Sequence, residues 1–105
     1  MSKVTVVAKL VAKAGLESRV KSELLKMVEE THKEDGCLNY DLHTSLDDPR
    51  VFLFYENWES KAALEKHMQT AHFMHLASLI SELFSEQPEI KLFEHISAPQ
   101  ASVKA

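Results

Sequence analysis

Six of the 105 residues are histidines, and three of them, His67, His72 and His75, fall close together in the chain. Imidazole changes charge near neutrality, so such a cluster suggests acid–base work or metal ligation. Helical geometry at about 100° per residue separates the three. His67 stands about 60° from Leu64 and so lies on an apolar face. His72 sits at the edge of the stripe Phe73, Leu76 and Ile80, and His75 points away from that stripe toward water. His72 and His75, at i and i+3, have metal-ligand spacing, but no second pair supports it, so no metal site is expected. Upstream, the segment VFLFYENW (51–58) alternates, which places Phe52, Phe54, Glu56 and Trp58 on one face. Glu56 is then a carboxylate in line with three aromatic rings. Two readings of it stay open. Either it is a perturbed carboxylate in a functional site, or it reaches water at the strand end. His67 is likewise either a satisfied core histidine or a working one. Trp58 is either a plug for the core or a wall on which a flat ligand stacks. Tyr40 is either a core ring or a hydroxyl in the same pocket.

The elements that must position these residues follow from periodicity. KVTVVAKLVA (3–12) is β-branched and apolar and reads as a strand, broken by Gly15. Leu16, Val20, Leu24, Met27, Val28 and Thr31 form a helical stripe that runs into His32-Lys33-Glu34-Asp35, with Gly36 as a stop. The segment 37–46 alternates, with Leu38, Tyr40 and Leu42 on one face and Asn39, Asp41 and His43 on the other. Asp47-Asp48-Pro49-Arg50 is a turn by composition, so 37–46 and 51–58 form a hairpin. Ser60 and Thr70 each cap a helical segment. The second of these carries Phe73, Leu76, Ala77, Ile80, Leu83 and Phe84, and Pro88 ends it. A last strand is expected over 90–96, with a flexible tail over 97–105 after a single domain over 1–96.

The order is β-α-β-β-α-β. This is the α+β, ferredoxin-like arrangement with an antiparallel sheet and both helical segments on one face. The strand 51–58 is apolar on both sides, with Val51, Leu53 and Tyr55 opposite the aromatic face. A strand buried on both faces needs a second cover, and another copy of the same sheet supplies it, so a homodimer is expected.

Composition removes whole classes of function. A formal charge of −4 without a Lys/Arg cluster argues against nucleic acid as a partner. The apolar runs fall short of the roughly 20 residues a membrane span needs. The start of the chain has no apolar signal core, and Cys37 is the lone cysteine, so a reduced, cytoplasmic setting is expected. Two glycines leave no dinucleotide-binding or phosphate-cradling loop, and no nucleophile elbow is present.

The strings Gly36-Cys37-Leu38-Asn39-Tyr40, Asp48-Pro49, Tyr55-Glu56-Asn57-Trp58, His67 and Thr70-Ala71-His72-Phe73 together resemble the antibiotic biosynthesis monooxygenase (ABM) family. Within it they resemble the small quinol-monooxygenase-like proteins, from about Val4 to Ile96. The resemblance implies a dimeric α+β barrel with a pocket between sheet and helices in each subunit. It also implies oxygenation of quinols or polyketide-like phenols by molecular oxygen, without metal, flavin or haem. Other branches isomerise a phosphorylated quorum-signal sugar or degrade haem. The haem branch uses an Asn on the first strand with a Trp and a His; Trp58 matches that Trp, but 4–10 holds no Asn.

The expected function is therefore a cofactor-independent monooxygenase acting on a small quinol, phenol or enolisable substrate. An isomerase and a non-catalytic small-ligand-binding stress protein are the alternatives. In the leading reading His67 is the base, Glu56 its orienter or a proton relay, and His72 holds a substrate oxygen. Trp58, Tyr40, Phe54 and Phe73 are the substrate-binding residues. The partners are the small-molecule substrate, molecular oxygen and a second copy of the chain.

Overall fold

A computed structural model describes residues 3–97. Four strands form one antiparallel sheet: β1 (Val4–Val11), β2 (Cys37–Thr44), β3 (Val51–Trp58) and β4 (Glu89–Glu94), in the order β2-β3-β1-β4. Helix α1 (Glu17–Thr31) joins β1 to β2. The return from β3 to β4 runs through α2 (Lys61–His67), α3 (Ala71–Ser78) and the single turn α4 (Ile80–Leu83). This is the ferredoxin-like α+β fold expected from the element order.

The expected boundaries shift slightly. β2 stops at Thr44, because Ser45 turns the hairpin by accepting from the Asp47 and Asp48 amides. β4 covers 89–94, and the expected tail lies, beyond Ser97, outside the described residues. The helical stripe expected from Phe73 to Phe84 is broken at Leu79 into α3 and α4, and Phe84 bridges to Ala12. Both expected caps form. Ser60 Oγ accepts from the Ala63 amide, and Thr70 Oγ1 accepts from the Phe73 amide.

The core sits between the sheet and the helices. Val6, Ala8 and Leu10 of β1 and Phe52, Phe54 and Trp58 of β3 face it, against Val20, Leu24 and Met27 of α1 and Leu64 of α2. Strand register aligns these side chains into rows across the sheet. Tyr40 pairs with Glu56, Glu56 with Val6, and Val6 with Leu92. One step along, Leu42, Phe54, Ala8 and Ile90 form the next row. These two rows make the floor of the site. β4 is the uncovered end of both rows, since all six of its residues are exposed.

Candidate active site

Glu56 and Trp58, two apart on β3, point to the same side of the sheet, as alternation requires. Trp58 is fully buried and donates its indole N–H to Glu56 Oε1 at 2.9 Å. Burial drives the Glu56 carboxyl up to about 7; the Trp58 N–H partly offsets this, and the charge of Glu34 adds to it. Near neutral pH Glu56 thus holds its proton far more readily than an ordinary carboxyl does. The Tyr40 hydroxyl, buried beside it, is held well above its ordinary range by burial and then by the charge of Glu56.

His67 ends α2, and Thr70 shapes the turn beyond it. The Thr70 hydroxyl donates to the His67 carbonyl at 2.8 Å while capping α3. This short turn brings His72, on the first turn of α3, beside His67, with ring centroids 6.0 Å apart. His67 is 2% exposed and hemmed in by rings: Trp58 at 4.6 Å, Phe73 at 5.2 Å and Tyr40 at 5.4 Å between centroids. Burial holds its pKa below the usual histidine value, while the hydrogen bond and charge of Glu34 oppose that.

The partner of His67 is Glu34 and not Glu56. Glu34 Oε2 lies 2.8 Å from His67 Nδ1 and 2.5 Å from His72 Nε2. The route to this contact starts where α1 stops. Glu34 sits in the turn after it, its amide bonded to the Thr31 carbonyl, and Gly36 turns the chain back at φ +84°. A Cβ on Gly36 would stand 2.6 Å from the Ala63 Cβ, so only glycine lets this turn lie against α2. An ionised carboxylate only accepts, so Glu34 assigns the proton of His67 to Nδ1 and that of His72 to Nε2. His67 Nε2 is then the lone pair left for a ligand.

Glu34, His67 and His72 offer three ligand-type atoms within 4.8 Å of one another. Their 2.5 and 2.8 Å contacts are hydrogen-bond lengths. Donors about 2.0–2.1 Å from a tetrahedral zinc ion would stand about 3.3 Å apart. As folded, the three act as a carboxylate bridging two imidazoles. Cys37 offers no nucleophile, because burial and then the charge of Glu34 push its thiol up to about 11.

Beside His67 lies a cavity of about 120 Å³ between the sheet and helices α2 to α4. An apolar cavity of roughly 150 Å³ is known to take up benzene, so this one is on the scale of an aromatic ring. Among the residues singled out from sequence, His67, Glu56, Tyr40, Phe54 and Phe73 line it. Trp58 and His72 stand behind that lining. Trp58 contacts Glu56 and the His67 ring, and His72 contacts Glu34. His75 is exposed on α3, with Glu23 at 3.4 Å. Glu34 escaped the sequence reading because it sits in a charged turn that resembles any solvated helix end. Only its place two residues before the family-like segment Gly36–Tyr40 hinted at the site.

Comparison with known proteins bears on the family and the fold. The sequence profile of the family described as "Antibiotic biosynthesis monooxygenase" matches residues 3–78. The Mycobacterium tuberculosis protein Rv0793 is 32% identical over 84 residues, covering 80% of this chain and 82% of its own. YcnE of Bacillus subtilis is 33% identical over 64 residues, 61% of this chain and 67% of its own. Both are named as proposed monooxygenases. The structure of PA3566 from Pseudomonas aeruginosa superposes with a TM-score of 0.87 at 30% identity, covering 92% of this chain and 97% of that one. That of Rv0793 superposes at 0.88 with 25% identity, covering 94% and 100%. The chain belongs to the antibiotic biosynthesis monooxygenase family.

Proposed function

We propose that this protein is a cofactor-independent monooxygenase that inserts one atom of molecular oxygen into a small quinol or related phenol. The observation that carries this reading is a buried imidazole, carboxylate-bound at Nδ1, on the wall of a ring-sized and mainly apolar cavity that it shares with Glu56 and Tyr40. A quinol needs little else. Deprotonated, it passes an electron to oxygen itself, so the protein must supply a base, a dry pocket and orientation.

In this reading His67 Nε2 takes the hydroxyl proton, and Glu34 holds the tautomer and stabilises the imidazolium, as a carboxylate does for a catalytic histidine. Glu56, pinned by Trp58, gives a hydrogen bond to the second substrate oxygen in its protonated form. Tyr40, Phe54 and Phe73 clasp the ring, and Trp58 backs His67. His72 acts through Glu34. Overall, quinol and oxygen give hydroxyquinone and water. One oxygen atom enters the ring, the other leaves as water, and the quinol supplies the electrons. The protein works as a homodimer, with the helix-free face of the sheet as the interface. In support, that face carries Val51, Leu53 and Tyr55, the last 44% exposed.

A phosphorylated sugar-like ketone is the weaker substrate, because no Lys or Arg lines the cavity among the described residues. The deciding experiment is oxygen uptake with a panel of quinols, run with and without oxygen and with and without a chelator. Oxygen-dependent, chelator-insensitive formation of hydroxyquinone supports the oxygenase. Turnover that persists without oxygen replaces it with an isomerase, and no turnover with any quinol removes it.

A further inference from the structure

Three side chains from three separate elements converge on one point. Glu34 comes from the turn after α1, His67 from the end of α2 and His72 from the first turn of α3. Each offers a ligand-type atom within 4.8 Å of the other two. Glu34 Oε2 is the hub, facing His67 Nδ1 and His72 Nε2. Two imidazoles and a carboxylate suit borderline first-row cations such as zinc and copper, whereas magnesium and calcium prefer oxygen donors. The pair His72 and His75, at i and i+3, does not make this point, because His75 turns instead toward Glu23 of α1.

The hydrogen-bonded cluster is close to a metal-binding shape. Its contacts of 2.8 and 2.5 Å would have to lengthen by about 0.5 and 0.8 Å to surround a tetrahedral zinc ion. The slack lies where that movement is needed. His67 is fixed among rings, but α3 has no buried residue, and the His72 side chain is 20% exposed. The Glu34 side chain is 13% exposed, so the cluster is reached from solvent on the His72 side.

A cation bound there changes what His67 presents to the cavity. In the hydrogen-bonded state Nδ1 carries the proton and Nε2 offers its lone pair. A metal takes the Nδ1 lone pair, so the one proton of the neutral imidazole moves to Nε2. His72, bound through Nε2, carries its own proton on Nδ1. Neither neutral ring gains or loses a proton, and the metal stays divalent. The nitrogen facing the cavity turns from acceptor to donor.

We propose that Glu34, His67 and His72 form a binding site for a divalent cation of the zinc class, and that its occupancy switches off the base of the neighbouring cavity. The binding stands on the geometry of the cluster. The switch rests on reading His67 Nε2 as that base.

The test is calorimetric titration of the chelator-stripped full chain with zinc chloride, with magnesium chloride as the control. One zinc ion per chain is expected to bind, and magnesium is expected not to. His72→Ala and Glu34→Gln should each weaken zinc at least about tenfold, while His75→Ala should stay within about twofold. Far-UV spectra of the variants confirm that they fold. At about a hundredfold excess of zinc over Kd, the melting temperature of the parent should rise by about 5 °C or more. Nitrogen NMR of the rings should show the His67 proton moving from Nδ1 to Nε2. Absence of zinc binding overturns the site, as does binding that survives Glu34→Gln but is lost in His75→Ala, or an unmoved His67 proton. Oxygen uptake on a quinol that the parent turns over should fall at least tenfold at saturating zinc and return with a chelator. Uptake indifferent to bound zinc overturns the switch. Failure of the oxygenase reading shows separately, as normal zinc binding with no oxygen uptake in either state.

Discussion

Glu34 is the residue on which the chemistry of His67 turns, and it makes two distinguishable contributions. It holds the Nδ1 proton, and its charge favours the imidazolium, opposing the burial that depresses the His67 pKa. A base must be neutral to act, so activity falls as pH drops through the pKa of His67, below the usual 6.5. Glu34→Gln removes the charge that raises this pKa. The acid limb of the pH–rate profile should therefore move to lower pH, while kcat falls roughly ten- to a hundredfold. A kcat loss with an unmoved limb would make Glu34 a purely structural prop. Glu56 gives a prediction on stability. Its folded pKa, about 7, lies above the ordinary 4.5, so the folded protein holds that proton more tightly than the unfolded chain. The associated stability is fully present below about 4.5 and is lost as pH rises through 7, by about 3 kcal/mol at most. Glu56→Gln keeps an acceptor for Trp58 and carries no charge. Urea unfolding from pH 5 to 8 should show the variant gaining on the parent as pH rises, and parallel curves would refute the buried-carboxyl account. His67 and Glu56 were both legible from spacing, because each breaks the polarity of the stripe or strand it sits on. Glu34 was not, because a carboxylate in a charged turn breaks no pattern.

At the scale of elements, the site depends on how tightly the turn after α1 can lie on α2. The two glycines make a controlled comparison. Both adopt positive φ, Gly15 at 88° and Gly36 at 84°. A Cβ on Gly15 meets nothing within 4 Å, whereas one on Gly36 collides with Ala63. Gly15→Ala should thus cost only the backbone term, about 1 kcal/mol. Gly36→Ala should cost about 2 kcal/mol or more and displace Glu34 from His67, with activity falling beyond what the stability loss explains. Equal effects of the two in thermal unfolding and turnover would count against this. The strands were readable to within one or two residues, the hairpin from alternation and β1 from its β-branched, apolar composition, and both capped helix starts from Ser60 and Thr70. The break at Leu79 was not. The stripe from Phe73 to Phe84 is consistent with one continuous helix, and what ends the first piece is the return of Phe84 and Ser85 to the end of β1.

For the whole molecule, the face of the sheet away from the helices is neither fully polar nor covered. Leu53 and Tyr55 share it with a hydrogen-bonded chain in which Thr5 donates to Asn57 at 2.5 Å and Asn57 to Asn39 at 2.8 Å. That chain locks three neighbouring strands and leaves the apolar residues beside it to find a partner. If a second copy covers them, light scattering on the eluting protein gives twice the 11.9 kDa chain mass, and Leu53→Asp brings it to a monomer that keeps its far-UV spectrum. A parent protein of single-chain mass removes the dimer. The sequence by itself determined the four strands, α1 and the two capped helix starts, the core-facing side of β3, and that an imidazole and a carboxylate lie on core-facing surfaces. Those properties are local, since a period of two or 3.6 residues is written into any short window. Only the tertiary structure decided which carboxylate meets which imidazole. His67 and Glu34 stand 33 residues apart and His72 and Glu34 stand 38 apart, and no periodicity spans the fold that closes those distances. The floor of the cavity was decided the same way, because strand register set Glu56, Val6 and Leu92 in one row.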